Sequence, residues 1–100
     1  MTPNPDILSQ LLDLLASLYE ESAGFADNPG DAQLWYNRGY ANGMVLALQE
    51  LGQAAAVQRR ISPDPQDIIA GHEVMAWGKA YLHGRDTGYR ETFEVLPVPN

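Results

Sequence analysis

Leu34-Trp35-Tyr36-Asn37-Arg38-Gly39-Tyr40-Ala41-Asn42-Gly43 decides how this chain is read, because Met75-Ala76-Trp77-Gly78-Lys79-Ala80-Tyr81-Leu82-His83-Gly84 repeats its pattern 41 residues later. From Tyr36 and from Trp77 both run aromatic, any residue, base, small residue, tyrosine, two residues, glycine. Gly39 with Gly43, and Ala80 with Gly84, set small residues one helical turn apart, and such a strip lets a second helix approach closely. Glycine inside a helix costs about 1 kcal/mol against alanine. A close crossing of the two segments is the expected compensation, with Tyr40 and Tyr81 flanking it. The offset is in the range of helical-hairpin repeats, but two copies do not make a solenoid.

Around these segments the pattern is helical throughout. Asn4-Pro5 is a helix start, with Asn as cap and Pro at the first helical position. Ile7, Leu8, Leu11, Leu12, Leu15, Leu18 and Tyr19 then mark one broad apolar face. Leu14 widens that face, so this first helix is expected to be buried on more than one flank. Ala26-Asp27-Asn28-Pro29-Gly30-Asp31 is turn chemistry, in which either Asn28 or Asp31 caps the second helix. That helix runs from about Asp31 to Leu51, with Tyr36, Tyr40, Met44, Ala47, Leu48 and Leu51 on one face. Gly52 either ends it or is passed through, since Ala54-Ala55-Ala56 favours helix. In the second case Arg59 and Arg60 sit at its C-terminus, where their charge suits the dipole.

Ser62-Pro63-Asp64-Pro65 breaks the chain, and Asp64-Pro65 predicts the start of a third helix carrying Ile68, Ile69, His72, Met75 and Trp77. Its end falls between Gly84 and Gly88, with continuation to Glu94 as the alternative. The tail from Thr92 to Pro99 is expected to be extended, held by Phe93 and Val95. The fold class is therefore all-α, with residues 1–100 as one helical domain. Helices one and two form an antiparallel hairpin, the third helix packs across the glycine strips, and an extended C-terminal tail closes one side.

Composition removes several kinds of chemistry. The chain has no cysteine, so disulfides, thiolate metal sites and cysteine nucleophiles are excluded. The apolar runs are too short and too interrupted to span a membrane. No basic residue precedes the first apolar run, as a secretory leader would require. A cytoplasmic location is the expectation. His72 and His83 are the only histidines; on a helix they would stand roughly 16 Å apart, too far to share a metal. His83 and Asp86 are two ligands at most, where a site needs three or four, so neither a metal nor another cofactor is expected. Glu20-Glu21 and Asp64 with Asp67 read as a solvated helix end and a cap rather than an acid–base pair, and no serine sits in a nucleophile elbow. No phosphate-binding glycine motif is present. No enzyme is expected.

The formal charge is −7, and it is unevenly placed. Residues 1–37 hold Asp6, Asp13, Glu20, Glu21, Asp27 and Asp31 with no Lys or Arg, whereas bases and acids nearly balance from Arg38 onward. Direct nucleic-acid binding would need cations. The leading expectation is a non-enzymatic inhibitor or adaptor, of a kind that phage or mobile elements encode. Asp13, Glu20, Glu21, Asp27 and Asp31 would occupy a basic surface of a partner protein, such as one that handles nucleic acid. The alternative is a small-ligand protein or enzyme with a groove at Trp35, Arg38, Tyr40, Trp77, Tyr81 and Arg85. A third reading is a structural subunit of a larger assembly. Exposed aromatics and small-residue strips are compatible with a homodimer.

Overall fold

A computed structural model describes the backbone of residues 5–96 and the side chains from Ile7 to Leu96. Among the described residues there are four α-helices: α1 (Pro5–Glu21), α2 (Ala32–Glu50), a short α3 (Ala54–Gln58) and α4 (Ala76–Val95), with one 3-10 turn at Phe25–Asp27. There is no strand among the described residues. The expected Asn4 cap and the stretch from Pro97 to Pro99 lie outside them.

α2 is the central helix. Asp31 rather than Asn28 caps it, its carboxylate accepting from the Leu34 backbone N–H at 3.1 Å. It ends at Gly52, which takes φ +83°. Gly52 and Gln53 donate back to the carbonyls of Gln49 and Leu48 at 3.1 and 2.8 Å, the αL termination that glycine favours. The alanines beyond it therefore start α3 instead of prolonging α2.

α1 returns antiparallel along α2. Tyr19, near the end of α1, bonds to Asn42 in the middle of α2, while Asp13 reaches Arg60 beyond α3. Leu12, Leu15 and Tyr19 pack with Met44, Val45, Leu48, Val57 and Leu96 in the main core. Leu14 departs from the expected second buried flank: it is 44% exposed.

α2 and α4 run parallel, with their backbones in contact. A Cβ placed on Gly39 would lie 2.0 Å from the Tyr81 carbonyl oxygen, and one on Gly43 2.1 Å from that of Arg85. The reverse pairs hold too, Gly84 against the Tyr36 oxygen and Gly88 against that of Tyr40, both at 2.1 Å. Residue numbers rise together along the two helices, which fixes the parallel sense. Every contact sets a glycine Cα against a carbonyl, the geometry of weak Cα–H···O bonding. The strip on α4 is Gly84 and Gly88, not Ala80 and Gly84 as the sequence echo suggested. Ala80 is half-buried against the Trp35–Tyr81 cluster instead.

Parallel neighbours need a long crossover, because the chain must travel back the length of α2, about 28 Å at helical rise. Residues 51–75 make that return through α3 and an irregular segment. The third long helix accordingly begins at Ala76, not at Asp64. Asp64 is spent elsewhere, as shown below, and Gly71 at φ +85° turns the chain before α4. Gly78 completes the entry: a Cβ there would lie 2.1 Å from the His72 carbonyl oxygen, so the loop lies directly on the helix. At its far end α4 continues through Val95 instead of stopping at Gly84–Gly88. Thr92–Val95 is thus helical where an extended tail was expected, and Leu96 is buried in the main core.

Candidate functional site

The six aromatic and basic residues expected to line one groove do not share a surface. Trp35 and Tyr81 are interior, packed with Ile69. Trp35 meets Trp77 at 4.3 Å between ring centroids and Phe25 edge-on at 4.9 Å, and its indole N–H donates to the Asn28 carbonyl at 3.0 Å. This cluster seals the turn between α1 and α2 against the start of α4. Tyr40 faces the opposite flank, where its hydroxyl donates to Glu91 at 2.5 Å. Arg85 donates to the Gln66 carbonyl at 3.2 Å, holding the crossover.

Arg38 is the centre of an interior polar network that the sequence reading missed. It is 8% exposed. Its Nε and Nη2 donate to the two carboxylate oxygens of Asp64 at 2.7 and 3.1 Å, the bidentate pairing to which guanidinium is suited. Nη1 donates to the Tyr19 carbonyl and the Ser22 hydroxyl at 3.1 and 3.2 Å, and the guanidinium lies 3.7 Å from the Tyr19 ring centroid. Asn42 donates to Asp64 and to the Tyr81 hydroxyl at 2.9 and 2.8 Å, and accepts from the Tyr19 hydroxyl. The Asp64 backbone N–H donates to the Tyr19 hydroxyl at 2.9 Å. α1, α2, the crossover and α4 all enter this network.

Its electrostatics are those of a structural clamp. Burial pushes Asp64 upward, but hydrogen bonds from Arg38 and Asn42, with the charge of Arg38, outweigh it and hold the carboxyl below its ordinary range. Burial pushes the Tyr19 phenol up to about 12 despite the Asp64 N–H, and raises Tyr81 too. Both phenols are thus protonated near neutrality, matching the donor role of Tyr19. Asn42 uses both amide hydrogens and its oxygen, and Asp64 both oxygens. A signal for this network was present: Arg38 and Asn42 lie four apart on α2, on a face shared with Trp35, Ala41 and Val45.

The surface offers two other features. The first is the acidic end. Glu20, Glu21 and Asp27 are exposed and form no salt bridge among the described residues. Asp13 is paired with Arg60 and Asp31 caps α2, so the five expected partner-binding acids divide into three unpaired and two engaged. The second is an apolar groove between α1 and α4, over α2. One stretch, of about 240 Å³, is lined by Leu11, Leu14, Tyr40, Met44, Glu91, Thr92, Glu94 and Val95. A second, of about 330 Å³, shares Leu11, Leu14 and Val95 and continues to Gln10 and Ile7. Leu14 at 44% and Val95 at 50% exposure stand on its edges.

Among the described residues no three His, Asp or Glu side chains converge as metal ligands, and no helix is long and apolar enough to cross a membrane. No family model, no curated protein and no solved structure matches the chain.

Proposed function

We propose that the protein is a non-enzymatic interaction module, an inhibitor or adaptor acting in the cytoplasm, that works by occupying a basic surface of a partner protein. One observation carries this reading: Glu20, Glu21 and Asp27 share one end of the molecule, are exposed, and make no salt bridge among the described residues. Arg38, the first base in the chain, is buried and consumed by Asp64, Tyr19 and Ser22. Residues 1–37 thus bring no base of their own to that surface, and a negative field speeds encounter with a cationic partner. A partner that normally holds nucleic acid presents the matching phosphate-binding surface.

The test begins with capture of the partner from source lysate, washed at low and then high salt. Association of the purified pair is then timed against the chain carrying Glu20→Lys, Glu21→Lys and Asp27→Lys. A loss of roughly tenfold or more in association rate at low salt, with a flattened salt dependence, is expected. An unchanged rate rejects the acidic end as the docking surface.

A further inference from the structure

We infer that the groove between α1 and α4 is a docking site for an amphipathic cationic helix of the partner, seated with apolar side chains on the groove floor and Lys or Arg toward its rim. The inference rests on the reading of a basic protein partner and assigns it a second, apolar anchor.

Three observations converge on it. The floor, formed by Leu11 and Met44, is apolar, and the groove continues along α1 to Ile7. From Ile7 to Leu14 the helix rises about 10 Å, so a partner helix of two to three turns fits along it, with anchors at the spacing that such grooves read. Leu14 and Val95 are large side chains left half in water on its two edges, and the other described leucines are at least partly covered. Glu91 and Glu94 are the charged residues in the lining, with no Lys or Arg among those described. Glu91 accepts from Tyr40, and Glu94 is only loosely approached by Arg90 at 3.8 Å, both side chains being well exposed.

That rim selects the occupant. A second copy of this chain would bring the same glutamates onto themselves across a twofold axis, with −7 on each copy. A neutral apolar segment would cover the floor but bring no counter-charge to the rim. A segment with lysines flanking an apolar stripe satisfies both floor and rim.

The probe is a synthetic 16-residue helical peptide with leucines at i, i+4, i+7 and i+11 and lysines elsewhere. One control keeps the leucines and replaces lysine by glutamate; another keeps the composition and scatters the leucines. Binding to the full chain is measured at 0.15 M salt by calorimetry, and the site is mapped by amide shifts. The Leu/Lys peptide is expected to shift the amides of Leu11, Leu14 and Val95 and to bind at least tenfold more tightly than either control. The Leu14→Gln, Val95→Gln double variant, altered only at exposed positions, is expected to lose at least tenfold in affinity with its thermal transition preserved.

Equal binding of the scattered peptide, or no binding by any of the three, overturns the inference. So does a shift pattern confined to Glu20–Asp27 and unchanged in the double variant, an outcome that leaves the acidic-surface reading standing. Sedimentation of a dimer whose contact shifts fall on Leu11 and Leu14 assigns the groove to a second copy. A Val98→Glu substitution that moves those same amides assigns it to the chain's own end. Either result also overturns the proposal.

Discussion

The two flanks of α2 are built on opposite principles. On one, α4 lies so close that carbonyl oxygens occupy the space where glycine lacks a side chain, and no atom can be added. On the other, α1 is held off by the side chains of Leu12, Leu15 and Tyr19, and its outer edge at Leu14 stays open. The first flank is fixed by backbone shape and the second by ordinary side-chain burial. The open surface lies on the second, which is where docking is proposed. A helix pair in contact through its backbone leaves no room for a ligand, whereas a pair spaced by leucines leaves grooves at its margins.

The sharpest way to break the comparison is to add one methyl to the tight flank. Gly39→Ala and Gly84→Ala place a Cβ about 2 Å from the carbonyls of Tyr81 and Tyr36, and a carbonyl inside a helix cannot swing aside. Separating the helices would strip contacts along the whole seam, so each substitution should cost at least about 3 kcal/mol in urea unfolding. Gly30→Ala is the control. A Cβ there meets nothing within 4 Å, and its effect should stay within about 0.5 kcal/mol. Equal tolerance at the three positions would mean that the helices do not cross as described.

The next effect comes from the clamp that ties both flanks together. Arg38→Met leaves Asp64 partly buried without its cation and should cost about 3 kcal/mol. The pH dependence follows from the direction of the Asp64 shift. Its folded-state pKa lies below the ordinary carboxylate value, so in acid the unfolded chain binds the extra proton. The stabilisation is full above about pH 4 and is lost as pH falls toward the folded-state pKa. Denaturant midpoints of Asp64→Asn should therefore change less between pH 5 and 3 than those of the parent. Tyr19 works in the other direction. Its phenol is raised to about 12, so its contribution is present below the ordinary tyrosine value near 10 and is lost as pH rises from there toward 12.

The same contrast explains what could be read from residues alone. Periodicity gave the three long helices, because apolar spacing reports directly on a side-chain interface, and the short loop between α1 and α2 gave their antiparallel sense. The glycines announced a close crossing, yet its register was misplaced. The echo paired Trp35-Tyr36 with Ala76-Trp77 and so selected Ala80 and Gly84, whereas the seam uses the Gly-x-x-x-Gly pairs 39/43 and 84/88. Spacing also says nothing of parallel or antiparallel sense, and the parallel solution demanded the long crossover that delays α4 to Ala76. Asp64-Pro65 carried a sound helix-start signal. Its carboxylate went to Arg38 and Asn42 instead, a pairing across more than twenty residues that no local rule contains. The candidate groove residues failed for a related reason: aromatic and basic side chains on two helices look alike whether they face water or each other. The acids fared differently, since position in a helix end or turn is enough to place Glu20, Glu21 and Asp27 at the surface.

The smallest expected effect is the most informative about the open flank. Leu14 and Leu15 are neighbours on one helix, identical in chemistry, with exposures of 44% and 0%. Leu15→Ala removes a fully enclosed side chain from the main core and should cost about 3 kcal/mol through lost burial and the cavity left behind. Leu14→Gln trades an edge side chain for one of similar length with a good helix propensity, and should change stability by no more than about 0.5 kcal/mol. The pair is measured in one set of urea titrations on the isolated chain. If Leu14→Gln costs as much as Leu15→Ala, the edge of α1 is covered in the folded molecule, and the groove is part of its core. If Leu14→Gln is neutral while Leu15→Ala is not, an apolar side chain stands in water at no benefit to the fold, which fits a surface held for a partner.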